Sequence, residues 1–154
     1  QTAIWRRPSP DTIPTDAKAA GLYMICTLSK HEAEKNGYSD ALMLDYKGRV
    51  SESTGSNIFF VMNGEIHTPI PDCFLNGITR KTVIDLAKSQ NINVVEREIY
   101  PDEIKNAEEI FLTGSAVEVT PVGKIDNQTF KVGDITAKIS SLYMKEVDPN
   151  YKDN

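Results

Sequence analysis

The sequence has little of what marks membrane, secreted or nucleic-acid-binding proteins. Its longest mostly apolar stretch is residues 57–62, which is far too short to span a bilayer, and its first residues do not resemble a signal peptide. Seventeen Lys and Arg against twenty-two Asp and Glu give a net charge of −5 without a basic stripe. We therefore predict a cytoplasmic protein and expect neither a membrane nor a nucleic acid as its partner.

Cysteine and histidine are scarce as well. Cys26 and Cys73 lie far apart without a CxxC pair, which is typical of reduced thiols rather than a zinc site. His31 and His67 lack the neighbouring ligands of a metal centre, so no metal is expected. The sequence also lacks a GxSxG elbow, a P-loop and a GxGxxG motif, so hydrolase, NTPase and Rossmann dehydrogenase functions lose their usual support.

What remains is the composition of an ordinary globular protein. The 154 residues are 40% hydrophobic and 25% charged, which fits one domain. The chain begins at Gln1 rather than methionine, so we expect a piece of a longer polypeptide with a partial site. The prolines at positions 8, 10 and 14 predict an extended interdomain linker over residues 1–16, followed by a domain over 17–154.

Hydrophobic periodicity predicts strands and helices in mixed order. It indicates a helix over residues 16–36 whose apolar first half is buried, further helices over 79–90 and 134–146, and a short one starting at Tyr100. Hairpins are predicted over 41–50 and 57–68, the second with an Asn63-Gly64 turn, and strands over 93–96, 109–113 and 117–122. These elements imply an α/β or α+β domain with a mixed sheet.

Lys18 and Glu52 are candidates for chemistry. Lys18 is the only charge within residues 17–28, so we expect it at the buried end of the helix, where a low dielectric favours a neutral, nucleophilic amine. Glu52 precedes a run of small polar residues, where a fixed carboxylate could pair with a heterocyclic nitrogen or act as a base. Taken singly, a lysine whose amine reaches water and an exposed acid on a turn fit the same positions.

Two segments rich in small residues are candidate anion sites. Residues 77–80 (GITR) open a predicted helix with free amides and a hydroxyl, and the threonine could cap that helix. Residues 114–116 (GSA) form a turn between two strands with similar donors. An ordinary helix cap and a plain tight turn use the same residues, so both alternatives stay open.

Five segments carry a resemblance to a known family: WRRP at 5–8, IPTDAKAAGLY at 13–23, DYKGRVSESTGSNIF at 45–59, LNGITR at 75–80 and FLTGSAVEVTPV at 111–122. In this order they resemble the C-terminal, cofactor-bearing domain of branched-chain amino-acid aminotransferases, which are fold type IV pyridoxal-phosphate enzymes. The resemblance covers nearly the whole chain apart from its last few residues. It implies an α/β fold with a mixed sheet or distorted barrel flanked by helices.

The resemblance also implies a pyridoxal 5'-phosphate cofactor and a role for three side chains. Lys18 is expected to bond covalently to the cofactor and to move the proton of the substrate α-carbon. Tyr23 is expected to hydrogen-bond the phenolic oxygen of the cofactor. Glu52 is expected to face the pyridine nitrogen and keep it protonated, so that the ring can accept the electron pair of the substrate carbon.

The remaining implied contacts are made by the two small-residue segments. Ile78 and Thr79 are expected to bind the cofactor phosphate, aided by Ser115. The amides of Ser115 and Ala116 are expected to meet the substrate carboxylate.

Three positions depart from the family pattern. Ser56 stands where many members have glutamate, Asn76 stands where proline is common, and Ser115 replaces a frequent threonine while keeping a hydroxyl. Members also have an N-terminal domain that supplies an arginine to the phosphate and most of the substrate pocket. That domain is absent from these residues, so we expect the isolated chain to be inactive as a transaminase.

The implied function is transfer of amino groups between branched-chain L-amino acids and 2-oxoglutarate, within branched-chain amino acid biosynthesis, by a homo-oligomer when intact. D-amino-acid aminotransferases and aminodeoxychorismate lyases share the fold class and are the nearest alternatives. A non-catalytic α/β binding module, in which Lys18 and Glu52 are merely structural, is the alternative from another class.

Overall fold

The computed structural model describes residues 1–152, so Asp153 and Asn154 at the end of the predicted domain lie outside the described residues. Its helices are α1 (Met24–Lys35), α2 (Ile78–Ser89) and α3 (Asp134–Val147). Its strands are β1 (Thr2–Arg7), β2 (Leu42–Asp45), β3 (Val50–Ser53), β4 (Asn57–Met62), β5 (Glu65–Pro69), β6 (Val94–Arg97), β7 (Glu109–Gly114), β8 (Glu118–Pro121), β9 (Lys124–Ile125) and β10 (Gln128–Thr129). Among these residues, no helix combines the length and apolar character that a bilayer crossing requires.

A five-stranded sheet in the order β6-β5-β4-β7-β8 forms the centre of the fold. Strands β5 and β6 are parallel and the other pairs are antiparallel, which confirms the predicted mixed sheet. The β4–β5 hairpin turns at Asn63 and Gly64, with φ values of 53° and 75°. These positive φ values are what a two-residue type I′ turn requires, so the Asn-Gly signal was sufficient here.

Strand β4 is buried along its whole length because both faces of the sheet are covered. On one face Ile58 and Phe60 join a cluster with residues of the second sheet, such as Leu44 and Val50. On the other face Phe59 packs into a cluster that includes residues of α2 and α3, and its ring stacks on Phe111 with centroids 4.9 Å apart. The central strand therefore separates two cores, one between sheets and one under helices.

The second sheet has three strands in the order β1-β2-β3. Its β2–β3 pair is the first predicted hairpin, whereas β1 pairs parallel with β2 and was not predicted. Residues 2–7 of the stretch expected to be a linker are thus built into a sheet. The short strands β9 and β10 were also missed, and each has only two residues.

The predicted helix over residues 16–36 is wrong in its first half. A 3-10 turn spans Ala20–Leu22, and α1 begins only at Met24. Short helices draw most of their stability from packing, and the apolar residues before Met24 are largely exposed in this chain. Gly21 also weakens helix formation. Helix α2 begins one residue before its predicted start, and α3 confirms the predicted last helix.

Candidate active site

The candidate site lies at one end of the central sheet, where the β3–β4 connection, the β7–β8 turn and the segment leading to α2 meet. In the β4–β7 register Asn57 pairs with Thr113, so the start of β4 and the end of β7 are neighbours. The β3–β4 connection and the β7–β8 turn consequently lie side by side. A Cβ placed on Gly114 would be 3.3 Å from Ser56 Oγ, which shows how closely the two connections approach.

Six of the seven residues that the sequence singled out line one cavity of about 270 Å³ there: Lys18, Tyr23, Glu52, Ile78, Thr79 and Ser115. Ala116 is exposed in the β7–β8 turn next to the cavity and is not one of its lining residues. A larger cavity of about 420 Å³ lies elsewhere, between Gln1, the segment 36–42 and the segment 120–125. Six predicted site residues thus line one cavity, and it is smaller than the cavity beside Gln1.

Glu52 is the buried carboxylate of the site, on β3 and 4% exposed. It forms an ion pair with Arg7, which is 5% exposed at the end of β1. Burial raises the pKa of Glu52 to about 7, and the Arg7 guanidinium offsets part of that rise. Arg7 also donates from Nη1 to the carbonyl of Leu22 at 3.3 Å. One guanidinium therefore joins β1, β3 and the segment that carries Lys18.

The prediction that Lys18 lies at the buried end of a helix is wrong, whereas the alternative of a lysine whose amine reaches water fits its exposure. The residue is exposed and lies in the irregular segment before the 3-10 turn, because that segment is not part of α1. Its side chain nevertheless lines the same cavity as Glu52. Tyr23, partly buried, stands between the 3-10 turn and α1 and lines the cavity too.

The start of α2 is fixed by a side chain that sequence reasoning missed. Asn57 donates from Nδ2 to the carbonyl of Leu75 at 2.9 Å, and its Oδ1 accepts the amide of Gly77 at 3.2 Å. Gly77 is the N-cap residue and has no side chain to cap the helix, so the prediction that Thr79 caps the helix is wrong. The first amides of α2 have no acceptor within the helix and lie at the cavity.

Ile78 and Thr79 differ sharply in exposure. Ile78 is 83% exposed, an unusual state for a large apolar side chain, whereas Thr79 is buried. Neither expected interaction needs the Ile78 side chain. Backbone amides at a helix N-terminus carry a partial positive charge, and Thr79 adds a hydroxyl.

Arg7, Asn57 and Thr113 are cavity residues that the sequence analysis did not assign. Arg7 lies within the WRRP segment, yet its partner Glu52 is 45 positions away, so no local pattern reveals the pair. The Asn57 bonds to residues 75 and 77 cross 18 and 20 positions. The only available signal was their presence within the segments of the family resemblance.

A cluster of Asp45, Asp72 and Cys73 offers ligand atoms within 4.8 Å of one another. Both carboxylates are already bound by the buried guanidinium of Arg49, at 2.5 and 2.8 Å, and Glu98 also pairs with it. Burial opposes the charge of Arg49, but these hydrogen bonds outweigh it and raise the pKa of Arg49. The cluster is a structural ion network that holds the segment leading to α2.

Comparison with known proteins agrees with the geometry. The family described as Amino-transferase class IV matches residues 2–125, and the chain belongs to this family. It is 43% identical over 142 residues to a probable branched-chain-amino-acid aminotransferase of Rickettsia typhi, covering 92% of this chain and 49% of that protein.

Solved structures agree in fold. The branched-chain aminotransferase of Thermoproteus uzoniensis with norvaline superposes with a TM-score of 0.92 at 39% identity, over 95% of this chain and 50% of that one. An aminotransferase from Brucella abortus, bound to the cofactor PLP, gives 0.90 at 37% identity, over 94% and 52%. The fold is that of the fold type IV aminotransferases, and the chain spans about half the length of the relatives it matches.

Proposed function

We propose that this chain is the C-terminal, pyridoxal-phosphate-binding part of an aminotransferase that exchanges amino groups between branched-chain L-amino acids and 2-oxoglutarate. The observation that carries the proposal is the convergence of Lys18, Glu52 and the start of α2 on one cavity. The family and the relatives named above support it. They do not favour the D-amino-acid aminotransferase and aminodeoxychorismate lyase alternatives or a non-catalytic module.

The donor set fits pyridoxal 5'-phosphate. That molecule needs an amine for its aldehyde, an anion for its ring nitrogen and hydrogen-bond donors for its phosphate. Lys18 offers the amine, Glu52 the carboxylate, and the first turn of α2 the donors. The Brucella abortus relative was crystallised with PLP bound, which is consistent with this assignment.

When bound, the cofactor supplies a ring that accepts the electron pair released at the substrate α-carbon. Glu52 holds a proton at the ring nitrogen by presenting a carboxylate that water does not reach. Burial favours the neutral acid, so a neighbouring cation is needed to keep Glu52 charged. Arg7 supplies one positive charge, and a protonated ring nitrogen supplies a second.

Lys18 moves a proton to and from the substrate α-carbon as a general acid and base. In this chain its side chain is exposed and lines the cavity. Tyr23 donates its phenol proton to the oxygen of the cofactor ring, and this bond orients the ring relative to Lys18.

Ile78 and Thr79 bind the phosphate through amides at the start of α2 and through the Thr79 hydroxyl, and Ser115 adds its own hydroxyl. Ser115 and Ala116 offer amides to the substrate carboxylate. Anions bound at such a position interact favourably with the helix dipole. Asn57 acts indirectly, because its hydrogen bonds to Leu75 and Gly77 hold the loop from which α2 begins.

The proposal extends to the rest of the molecule. Residues 1–16 lead from an N-terminal domain into the cofactor-binding domain over 17–154, and β1 within them pairs with β2 and so belongs to the sheet of that domain. The N-terminal domain supplies an arginine to the phosphate and most of the side-chain pocket, and the intact protein is a homo-oligomer of branched-chain amino acid biosynthesis. Cys26 and Cys73 are buried free thiols, a state consistent with a reducing cytoplasmic location.

Covalent labelling tests the assignment of Lys18. The full-length protein is incubated with pyridoxal phosphate, reduced with borohydride and digested, and we expect the label on the peptide that contains Lys18. Lys18→Ala should abolish the label and transamination, whereas Lys30→Ala, at an exposed lysine of α1, should leave both unchanged.

A label on another lysine, or none, contradicts the proposed function. A panel of branched-chain, D- and aromatic amino acids with 2-oxoglutarate then tests the substrate class. We also expect no turnover from the 154 residues alone, because about half of the length of the related enzymes is missing.

A further inference from the structure

Arg80 is a buried cation in the first turn of α2. It is 1% exposed and is the largest fully buried side chain among the described residues. A positive charge near a helix N-terminus is repelled by the partial positive charge of the first amides, and burial also removes its water. Apolar side chains of similar size are often as stabilising as a buried ion pair. Stability alone is therefore a weak reason for an arginine at this position.

The Arg80 guanidinium joins two strands to the loop that leads into α2. Its Nη2 donates to the carbonyl of Pro69, the last residue of β5, at 3.0 Å and to Glu96 of β6 at 2.7 Å. Its Nη1 donates to Oδ1 of Asn76 at 2.9 Å. Asn76 comes directly before the N-cap residue Gly77 and lines the cavity, whereas Arg80 is not one of the lining residues. Arg80 thus acts from behind the cavity wall.

The three residues before α2 are each held by a side-chain hydrogen bond. Asn57 of β4 bonds to the carbonyl of Leu75 and to the amide of Gly77, and Arg80 bonds to the side chain of Asn76 between them. The next amides along the chain are those of the first turn of α2. Donors that bind an anion well are in place before the anion arrives. The two sets of bonds therefore hold the loop that aims these amides into the cavity.

Asn76 is also one of the positions that depart from the family pattern, in which proline is common. Proline restricts its own backbone φ and needs no partner to do so. Asparagine lacks that restriction, and the bond to Arg80 restrains it from outside. Asparagine with Arg80, or proline alone, would then meet the same requirement for a fixed loop.

We propose that Arg80 is a positioning residue for the phosphate of the cofactor, which it serves by holding Asn76 so that the amides of Ile78 and Thr79 face the cavity. The inference rests on the proposed function. Arg80 does not touch the phosphate, and its effect passes through the loop.

Arg80→Met in the full-length protein is the first test. The affinities of the apoprotein for pyridoxal phosphate and for pyridoxal, which lacks the phosphate, are measured by absorbance titration. We expect pyridoxal phosphate to bind about tenfold more weakly and pyridoxal to bind as before, because only the phosphate meets the α2 amides. A general loss of stability would weaken both ligands alike, so the ratio of the two affinities isolates the positioning role.

Asn76 provides the second test, which does not depend on the folding of Arg80→Met because Asn76 is exposed. Asn76→Ala removes the acceptor and frees the loop, so the ratio should fall about threefold. Asn76→Pro removes the same acceptor but restricts the backbone, so the ratio should stay at its wild-type value. Adding Asn76→Ala to Arg80→Met should lower the ratio no further than Arg80→Met alone, because both act on one contact.

Arg97→Met is the matched control. Arg97 lies on β6 next to Glu96 and pairs with Glu103 at 2.8 Å, but it does not line the cavity and does not bond to Asn76. Its loss should lower stability without changing the ratio of the two affinities.

The outcomes separate the two proposals. If Lys18 is labelled in the wild type but Asn76→Ala or a folded Arg80→Met leaves the ratio unchanged, the Arg80 assignment is overturned and the proposed function stands. An equal fall for Asn76→Pro and Asn76→Ala also overturns it, because the Asn76 side chain would then act on the phosphate directly. If Lys18 is not labelled, both proposals are overturned. A fall for Arg80→Met and Asn76→Ala, but not for Asn76→Pro or Arg97→Met, supports the inference.

Discussion

The two sides of the cavity differ in how firmly this chain holds them. On the sheet side Glu52 is ion-paired with Arg7, and the start of α2 is fastened to β4 through Asn57. On the other side Lys18 lies exposed in an irregular segment. The nearest fixed points of that segment are a Thr15 hydroxyl bond to the Asp72 carbonyl and the Arg7 bond to Leu22.

This contrast separates two tasks. Recognition of a ring nitrogen and a phosphate requires donors and acceptors that are in place before the ligand arrives. The reactive amine has to reach more than one atom in a transamination cycle, so a segment with few contacts suits it. The buried side should therefore respond to substitution mainly through stability, and the exposed side mainly through chemistry.

Arg7→Met should have the largest effect on stability. At pH 8, above the pKa of Glu52, it leaves a buried carboxylate without its partner, a change that typically costs about 3–5 kcal/mol. Urea unfolding of the protein without cofactor measures it. The double variant Arg7→Met with Glu52→Gln should recover much of the loss, because the uncompensated charge is gone.

Arg6→Met is the control for that experiment, since Arg6 is the neighbouring arginine and is exposed. It should change the unfolding free energy by less than about 0.5 kcal/mol. Equal losses of unfolding free energy in Arg7→Met and Arg6→Met would show that the buried ion pair does not stabilise the sheet side of the cavity.

The sequence predicted the central strand well and the buried connections poorly, for a physical reason. The β4–β5 hairpin depends on neighbouring residues, because asparagine and glycine tolerate the positive φ that Asn63 and Gly64 adopt in its turn. Helix formation before Met24 depends instead on a packing surface, which periodicity cannot reveal. Residues 17–22, which are apolar except for Lys18 and Gly21, therefore predicted an α-helix where the structure has only a 3-10 turn.

The candidate site shows the same division. Most of its residues were predicted from the family resemblance, because the cofactor-binding residues of fold type IV enzymes lie in short sequence segments. Their partners did not: the contact between Arg7 and Glu52 depends on how β1 and β3 are placed in one sheet. The exposure of Lys18 was predicted wrongly for the same reason, since burial is a property of the assembled fold.

The pH dependence of unfolding should report the buried carboxylate. The pKa of Glu52 is about 7 in the folded chain, against 4.5 as its ordinary value. Between these values the folded state holds a proton that the unfolded state has released, so this contribution favours folding at low pH and is lost as the pH rises through 7. At about 1.4 kcal/mol for each pKa unit, the change is on the order of 3 kcal/mol.

Glu52→Gln should flatten this part of the profile, measured by urea unfolding between about pH 4.5 and 8 without cofactor. The difference between wild type and variant removes the contributions of other titrating groups, including His67, whose pKa burial lowers. A wild-type profile parallel to that of the variant would mean that Arg7 keeps Glu52 charged over the whole range.

Smaller effects than that of Arg7→Met are expected at two glycines, Gly77 in the cavity lining and Gly21 between Lys18 and Tyr23, which compare the two sides of the cavity. A Cβ on Gly77 would lie 2.6 Å from Asn57 Oδ1, so Gly77→Ala must displace the side chain that holds the start of α2. Overpacking of this kind typically costs about 1–3 kcal/mol. The same substitution should weaken the binding of pyridoxal phosphate, because the amides of α2 move with the loop.

Gly21→Ala is the counterpart on the Lys18 side. Its Cβ would meet no described atom within 4 Å beyond its chain neighbours, so alanine adds no clash and restricts the unfolded chain. The expected change is between zero and a gain of about 1 kcal/mol. Thermal and urea unfolding of both variants measure these changes. A loss of stability in Gly21→Ala as large as that in Gly77→Ala would mean that the segment carrying Lys18 is held as tightly as the start of α2.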